Sequence, residues 1–196
     1  MRLRDINKEA LVKEKACELL VSLGFEGFSM SKLAKACNIS VGTLYIYYKD
    51  KEDLFQKLGV EFGQEYYDAM MENFSPEMSF EEGLWIQWKN RANFVLANSH
   101  KVAFHYIIQL SNHKEYVMAA THQTLTETLG RFIQNCIEKK EIKEMSHEVF
   151  WSIAYGPLNT LINFHNRGKG YGENGYKLNK KDMKESFDLV IKALQL

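Results

Sequence analysis

Between Ser29 and Lys51 the chain gathers hydroxyls (Ser29, Ser40, Thr43, Tyr45, Tyr47), amines (Lys32, Lys35, Lys49, Lys51) and a position without a side chain, Gly42. Hydroxyls and ammonium groups are the donors that hold phosphate oxygens, and such contacts fix position without reading sequence. Gly42 lets the backbone come close to a large ligand. Beside it, Thr43 offers a hydroxyl and a methyl, and Val41 offers an apolar contact. Val41, Gly42 and Thr43 are therefore the candidate base-reading residues, with Ser29, Ser40, Tyr45, Tyr47 and Lys51 as candidates for the phosphates.

Bond-making chemistry finds no comparable foothold. The chain has no G-x-S-x-G and no G-x-x-x-x-G-K-[ST], so neither a nucleophile elbow nor a P-loop is expected. Gly168, Gly170 and Gly172 read as a flexible loop. All six histidines follow residue 99, yet none forms an H-x-x-x-H pair or a Cys/His cluster, and neither a metal nor another cofactor is expected. No catalytic residue is assigned and the chain is not read as an enzyme.

The elements that must position the Ser29–Lys51 segment follow from helical spacing. Val12, Ala16, Leu19, Leu20 and Leu23 form one face of a first helix, which Gly24 ends. Ser29 is placed to cap a short second helix with Met30, Leu33, Ala34 and Cys37 inward. Asn38 supplies a turn residue that tolerates positive φ, and Ser40 caps a third helix through Tyr48. Two short helices joined by a tight turn make a helix-turn-helix. Leu44 and Tyr48 are expected in its core. Asp50 caps a long fourth helix carrying Leu54, Leu58, Phe62, Tyr66 and Met70 every four residues, closed by Ser75-Pro76.

The segment Ser29–Leu54, SMSKLAKACNISVGTLYIYYKDKEDL, together with the preceding helix from Lys8, resembles the DNA-binding region of the TetR (tetracycline-repressor-like) transcriptional regulators. The resemblance rests on Leu33-Ala34, Ile39-Ser40, Gly42-Thr43-Leu44-Tyr45, Tyr47 and Tyr48, and Lys51 with Leu54. It implies DNA contacts for Tyr45 and Tyr47. Cys37 and Asn38 depart from the Ala and Gly usual at the turn. In residues 1–55 nine basic side chains face eight acidic ones, a local charge of only +1. Arg2 and Arg4 would form an arm, and four lysines lie in or beside the motif.

The whole chain supports a helical reading. Its 196 residues are 45% hydrophobic with two prolines, which fits an all-α protein of nine to ten helices better than a many-turned β fold. Residues 1–50 would form the helix-turn-helix domain and residues 51–196 a ligand-binding and dimerisation bundle. Twenty-five Lys plus Arg balance twenty-five Asp plus Glu, so affinity for a polyanion must be local. Three dispersed cysteines and a charged N-terminus fit the cytoplasm. The uncharged run from Val149 contains too many polar residues to span a membrane.

In the second region the surplus of aromatic residues suits an apolar or aromatic effector, with Phe62, Tyr66, Met70, Trp85, Trp88 and Phe104 as candidate contacts. Helices at about 121–139 and 149–165 resemble the pair through which the family forms homodimers. The expected protein is a dimeric regulator, read as a repressor, that binds a palindromic double-stranded operator and is released by a small molecule. The alternative is a helical small-molecule-binding or modifying protein with a vestigial helix-turn-helix.

Overall fold

The computed structural model describes residues 6–172 and 175–196, with side chains described throughout except at residues 6–7 and 122–126. The proposed arm at Arg2 and Arg4, and the side chain of Leu125, lie outside the described residues. The described residues form ten helices and no strand beyond two isolated bridges, so the chain is all-α. By contacts it divides into two compact units, described separately below.

The first unit extends to Glu65 and takes in Asn98–His122. It contains α1 (Ile6–Gly27), α2 (Met30–Ala36), α3 (Val41–Leu44), most of α4 (Lys51–Met71), α6 (Ser99–Gln109) and the start of α7 (Lys114–Glu138). α1 breaks at Gly24, whose φ of 66° and ψ of −177° lie in a region open essentially to glycine. Its inward face, Val12, Ala16 and Leu20, is fully buried with Leu33, Leu44, Leu54 and Phe55. Each of these side chains larger than alanine contributes about 1.5–3 kcal/mol on leaving water.

The first unit takes in α4 as far as Glu65. The reason is packing: Phe55 and Phe62 both meet Phe104 of α6 edge-on, at centroid distances of 6.2 and 5.5 Å. Further close packing in this unit comes from Gly59 and Gly63. A Cβ on Gly59 would lie 2.6 Å from Val117 Cγ2, and one on Gly63 would lie 2.9 Å from Thr121 Cγ2.

The second unit comprises Tyr66–Ala97 and Gln123–Leu196. It holds the last turns of α4, α5 (Phe80–Ala97), the rest of α7, α8 (His147–Ala154), α9 (Gly156–Arg167) and α10 (Lys180–Leu194). Phe80, Leu84, Trp88, Phe132, Phe150 and Phe187 are buried in it. Trp88 Nε1 donates to Ala154 O at 2.8 Å, satisfying the indole inside the core.

Several element boundaries differ from the sequence expectation. The helix expected over Val149–His165 is two helices, because Pro157 has no N–H to donate and its ring would crowd the carbonyl four residues earlier; the break is at Tyr155. α7 begins at Lys114 rather than near Thr121. α4 ends at Met71, before Asn73 takes a φ of 55°. The glycine-rich segment after α9 is tied back by the Lys169–Gly175 bridge and by Tyr176 N–H donating to Gly168 O at 3.1 Å.

Candidate nucleic-acid interface

The two short helices are built by side-chain caps. Ser29 Oγ accepts from Lys32 N–H at 3.2 Å, and Ser40 Oγ accepts from Thr43 N–H at 3.2 Å. Each satisfies a donor that a helix start leaves unpaired. Ser40 Oγ and Thr43 Oγ1 are also 2.8 Å apart, so one hydroxyl orients the other.

The turn between the helices is a Schellman motif. Asn38 N–H donates to Lys35 O at 3.1 Å and Ile39 N–H to Ala34 O at 3.0 Å, with Asn38 at φ 52°. Asn38 thus adopts the left-handed geometry expected where the related family has glycine. α3 is only four residues long, but turn hydrogen bonds from Ile46, Tyr47 and Tyr48 carry its curl further: Tyr48 N–H donates to Leu44 O at 3.0 Å.

Burial sorts the residues of this segment into two faces. Leu44, Tyr47 and Tyr48 point into the core, while Gly42, Tyr45 and Ile46 are exposed and Val41 and Thr43 half-buried. Tyr47, a candidate for the phosphates, is 7% exposed, with its ring 6.4 Å from that of Tyr48. The surface instead presents Ile46, 61% exposed beside Tyr45 at 52%. Ile46 was not singled out in the sequence because an isoleucine beside three aromatics reads as core.

The basic side chains differ in what holds them. Lys51 Nζ donates to Phe25 O at 3.4 Å and Lys32 Nζ to Gly27 O at 2.6 Å, so both bind the end of α1. Lys35 and Lys49 are exposed. Asp50 caps α4 by accepting from Asp53 N–H at 2.8 Å, and Asp53 in turn accepts from Lys49 N–H at 2.9 Å and Lys57 Nζ at 2.8 Å. Burial pushes the Asp53 carboxyl up, but the Lys57 and Lys49 contacts outweigh it and hold it below the usual range.

The six candidate effector residues fall in both units. Phe62 and Phe104 pack together in the first unit. In the second, Trp85 and Trp88 share Phe187, at 4.8 and 5.4 Å. Met70 is buried, and its carbonyl accepts from Gln87 Nε2 at 2.7 Å. Tyr66 accepts at its hydroxyl from Arg91 Nη1 at 3.2 Å and tilts against Phe94. Among the described residues no group of three or more His, Cys, Asp or Glu could hold a metal, and no helix is long and apolar enough to cross a membrane.

Residues 13–58 match the sequence model of a family described as bacterial regulatory proteins, tetR family. Over 156 residues the chain is 24% identical to an uncharacterized HTH-type transcriptional regulator of Haemophilus influenzae, covering 77% of this chain and 78% of that protein. It is 25% identical over 132 residues to the fatty acid metabolism regulator protein of Bacillus subtilis, covering 66% and 68%. Its fold is similar to the crystal structure of a TetR family transcription regulator from Marinobacter aquaeolei, with a TM-score of 0.83 and 24% identity over 100% of this chain and 99% of that one.

Proposed function

Because the chain belongs to the tetR family of bacterial regulatory proteins, we propose that its helix-turn-helix reads a palindromic operator as a homodimer and that a small, largely apolar or aromatic effector releases it. The observation that carries the DNA-binding part is the two-faced segment after the Asn38 turn. Leu44, Tyr47 and Tyr48 anchor it, while Gly42, Tyr45 and Ile46 stand on the surface with Val41 and Thr43 partly beside them. A major groove about 12 Å wide admits such an element, braced by α2.

In this reading Gly42 and Thr43 approach base edges, Val41 meets a thymine methyl, and Ser29, Ser40 and Tyr45 contact phosphates. So short a reading element contacts few bases, and pairing two copies on half-sites about 34 Å apart supplies the missing specificity. The pairing surfaces are α7 and the α8–α9 pair. The chain acts as a cytoplasmic repressor rather than an enzyme. α4, which begins two residues after Lys49 and continues past Tyr66, is the element whose tilt an effector would bias; it does so only by binding the two states unequally.

The test is selection from random double-stranded DNA followed by a salt series, with sedimentation of the same protein. A recurring two-fold symmetric site whose affinity falls steeply with salt, bound by a dimer, is expected. Weak binding that is blind to sequence, from a folded protein, would overturn the reading and favour a small-molecule-binding protein with a vestigial helix-turn-helix.

A further inference from the structure

Arg91 lies in the middle of α5 and is 7% exposed. Around it, all within the second unit, are three aromatic rings: Cζ is 4.2 Å from the centroid of Tyr155, 5.4 Å from Trp151 and 5.9 Å from Tyr66. Stacking of this kind satisfies the faces of a guanidinium, not its edge donors. One edge nitrogen, Nη1, donates to Tyr66 Oη at 3.2 Å. The other two, Nε and Nη2, are buried without a hydrogen-bond partner, and among the described residues no carboxylate pairs with Arg91.

The identity of the two orphan atoms is informative. Nε–H and the adjacent Nη2–H are parallel donors on one side of the planar fork, spaced to meet the two oxygens of a single carboxylate. A guanidinium cannot escape the cost of burial by losing its proton. Nor does Tyr155 supply the missing negative charge: burial pushes its phenol up, against the pull of Arg91, so it stays neutral. A second orphan lies one helical turn earlier. Gln87 is wholly buried, its amide nitrogen is spent on Met70 O, and its Oε1 has no partner. Residues four apart on a helix share a face. Two unsatisfied buried polar groups on one face are not what an element built only for packing carries.

We propose that Arg91 is the anion-binding residue of the effector site, taking the carboxylate of an organic acid on its Nε and Nη2 donors, with Tyr66 holding Nη1 and the Tyr155 and Trp151 rings covering the guanidinium. This rests on the reading of the chain as an effector-responsive regulator, and it names the chemical class of the effector: an apolar or aromatic body bearing one carboxylate. The low local dielectric strengthens the charge-assisted pair.

The probes are sodium benzoate and sodium decanoate, each against its methyl ester, at constant ionic strength and with the full chain. In the wild type at least one carboxylate should raise the thermal unfolding midpoint and change Trp fluorescence saturably, while the esters do neither at equal concentration. Arg91→Met should abolish the shift. Without ligand it should unfold at the same temperature as the wild type or higher, because an unpaired buried charge has been replaced by an apolar chain of similar length. Arg91→Lys, which keeps the charge but not the fork, should lose at least tenfold in affinity.

No response of the wild type to either carboxylate, equal response to the esters, or a shift retained in Arg91→Met would overturn the proposal. A lower ligand-free midpoint in Arg91→Met would likewise do so, by showing the arginine to be structural. Should that variant fail to fold, the wild-type comparison of acid with ester still decides. Operator binding is measured on the same preparation. Sequence-specific DNA binding without a carboxylate response sinks this proposal alone, and a carboxylate response without sequence-specific DNA binding sinks the regulator reading alone.

Discussion

His113 Nε2 lies 2.8 Å from Glu52 Oε2, joining the residue just before α7 to the first turn of α4. The imidazole is 4% exposed and sits 5.9 Å from the rings of both Phe25 and Phe55. It thus bridges the end of α1, the start of α4 and the α6–α7 connection in the unit that carries the helix-turn-helix. Ring packing and the polar contact contribute unequally. The Glu52 side chain is 54% exposed, so its share is screened by solvent.

His113→Ala should therefore destabilise the protein by about 3 kcal/mol, the cost of emptying a buried aromatic-sized site. Glu52→Gln, which keeps a hydrogen-bonding amide, should cost less than about 1 kcal/mol. Urea unfolding of the two variants measures both. Equal losses would assign the stabilisation to the polar contact instead of the ring.

Gly59 and Gly63 permit α4 to approach α7 within the first unit. A Cβ at Gly59 meets Val117, a branched side chain that is itself fully buried. Gly59→Ala should cost about 1–3 kcal/mol through overpacking. Adding Val117→Ala should recover part of that loss, so that the double variant is more stable than the sum of the single effects predicts. Strict additivity in thermal or urea unfolding would mean that the two positions do not meet.

That glycine pair marks where sequence reading stops. The caps at Ser29, Ser40 and Asp50, the left-handed Asn38 and the buried Leu44 and Tyr48 were legible because capping and turn chemistry are local: the residue type carries the geometry. Gly59 and Gly63 were not, since a glycine inside a helical pattern signals only weakened propensity until its neighbour across the interface is known. Arg91 was hidden for the same reason. It sits among the apolar positions Trp88, Ala92 and Val95, where a single charge reads as a solvated face, and only three-dimensional placement reveals its three aromatic neighbours. Family resemblance gave Tyr47 a DNA contact, and only the fold shows that the turn after Leu44 leaves its ring mostly buried.

The three cysteines are free and buried. Burial pushes the Cys17 and Cys136 thiols up to about 12, and raises Cys37 as well. Folded protein at pH 8 should accordingly react slowly with a thiol-specific disulfide reagent, and urea should release all three thiols. The sign of the pH dependence follows. An unfolded cysteine ionises near pH 8.5–9 while the folded thiols keep their protons, so the unfolded chain binds fewer protons as pH rises. Stability contributed by these groups is complete below about pH 8.5 and falls progressively toward pH 12. A urea midpoint that does not decline between pH 8 and pH 10 would contradict the assignment.

Lysine placement makes the DNA-binding reading quantitative. Lys35 and Lys49 are exposed near the reading element, whereas Lys51 reaches the Phe25 carbonyl at 3.4 Å. A lysine that neutralises one phosphate adds about 0.9 to the slope of log affinity against log salt. On the selected operator, Lys35→Ala and Lys49→Ala should each lower that slope by about one and weaken all sequences alike. Lys51→Ala should change the slope less and stability more, because its first partner is the protein. Thr43→Val keeps shape and methyl but removes the hydroxyl, so it should leave the slope unchanged and reduce discrimination among sites by about 1–3 kcal/mol if Thr43 reads a base edge. Titrations at several salt concentrations separate the two classes. A full unit of slope lost with Lys51→Ala would place that ammonium on the DNA backbone and require the contact with Phe25 to open on binding.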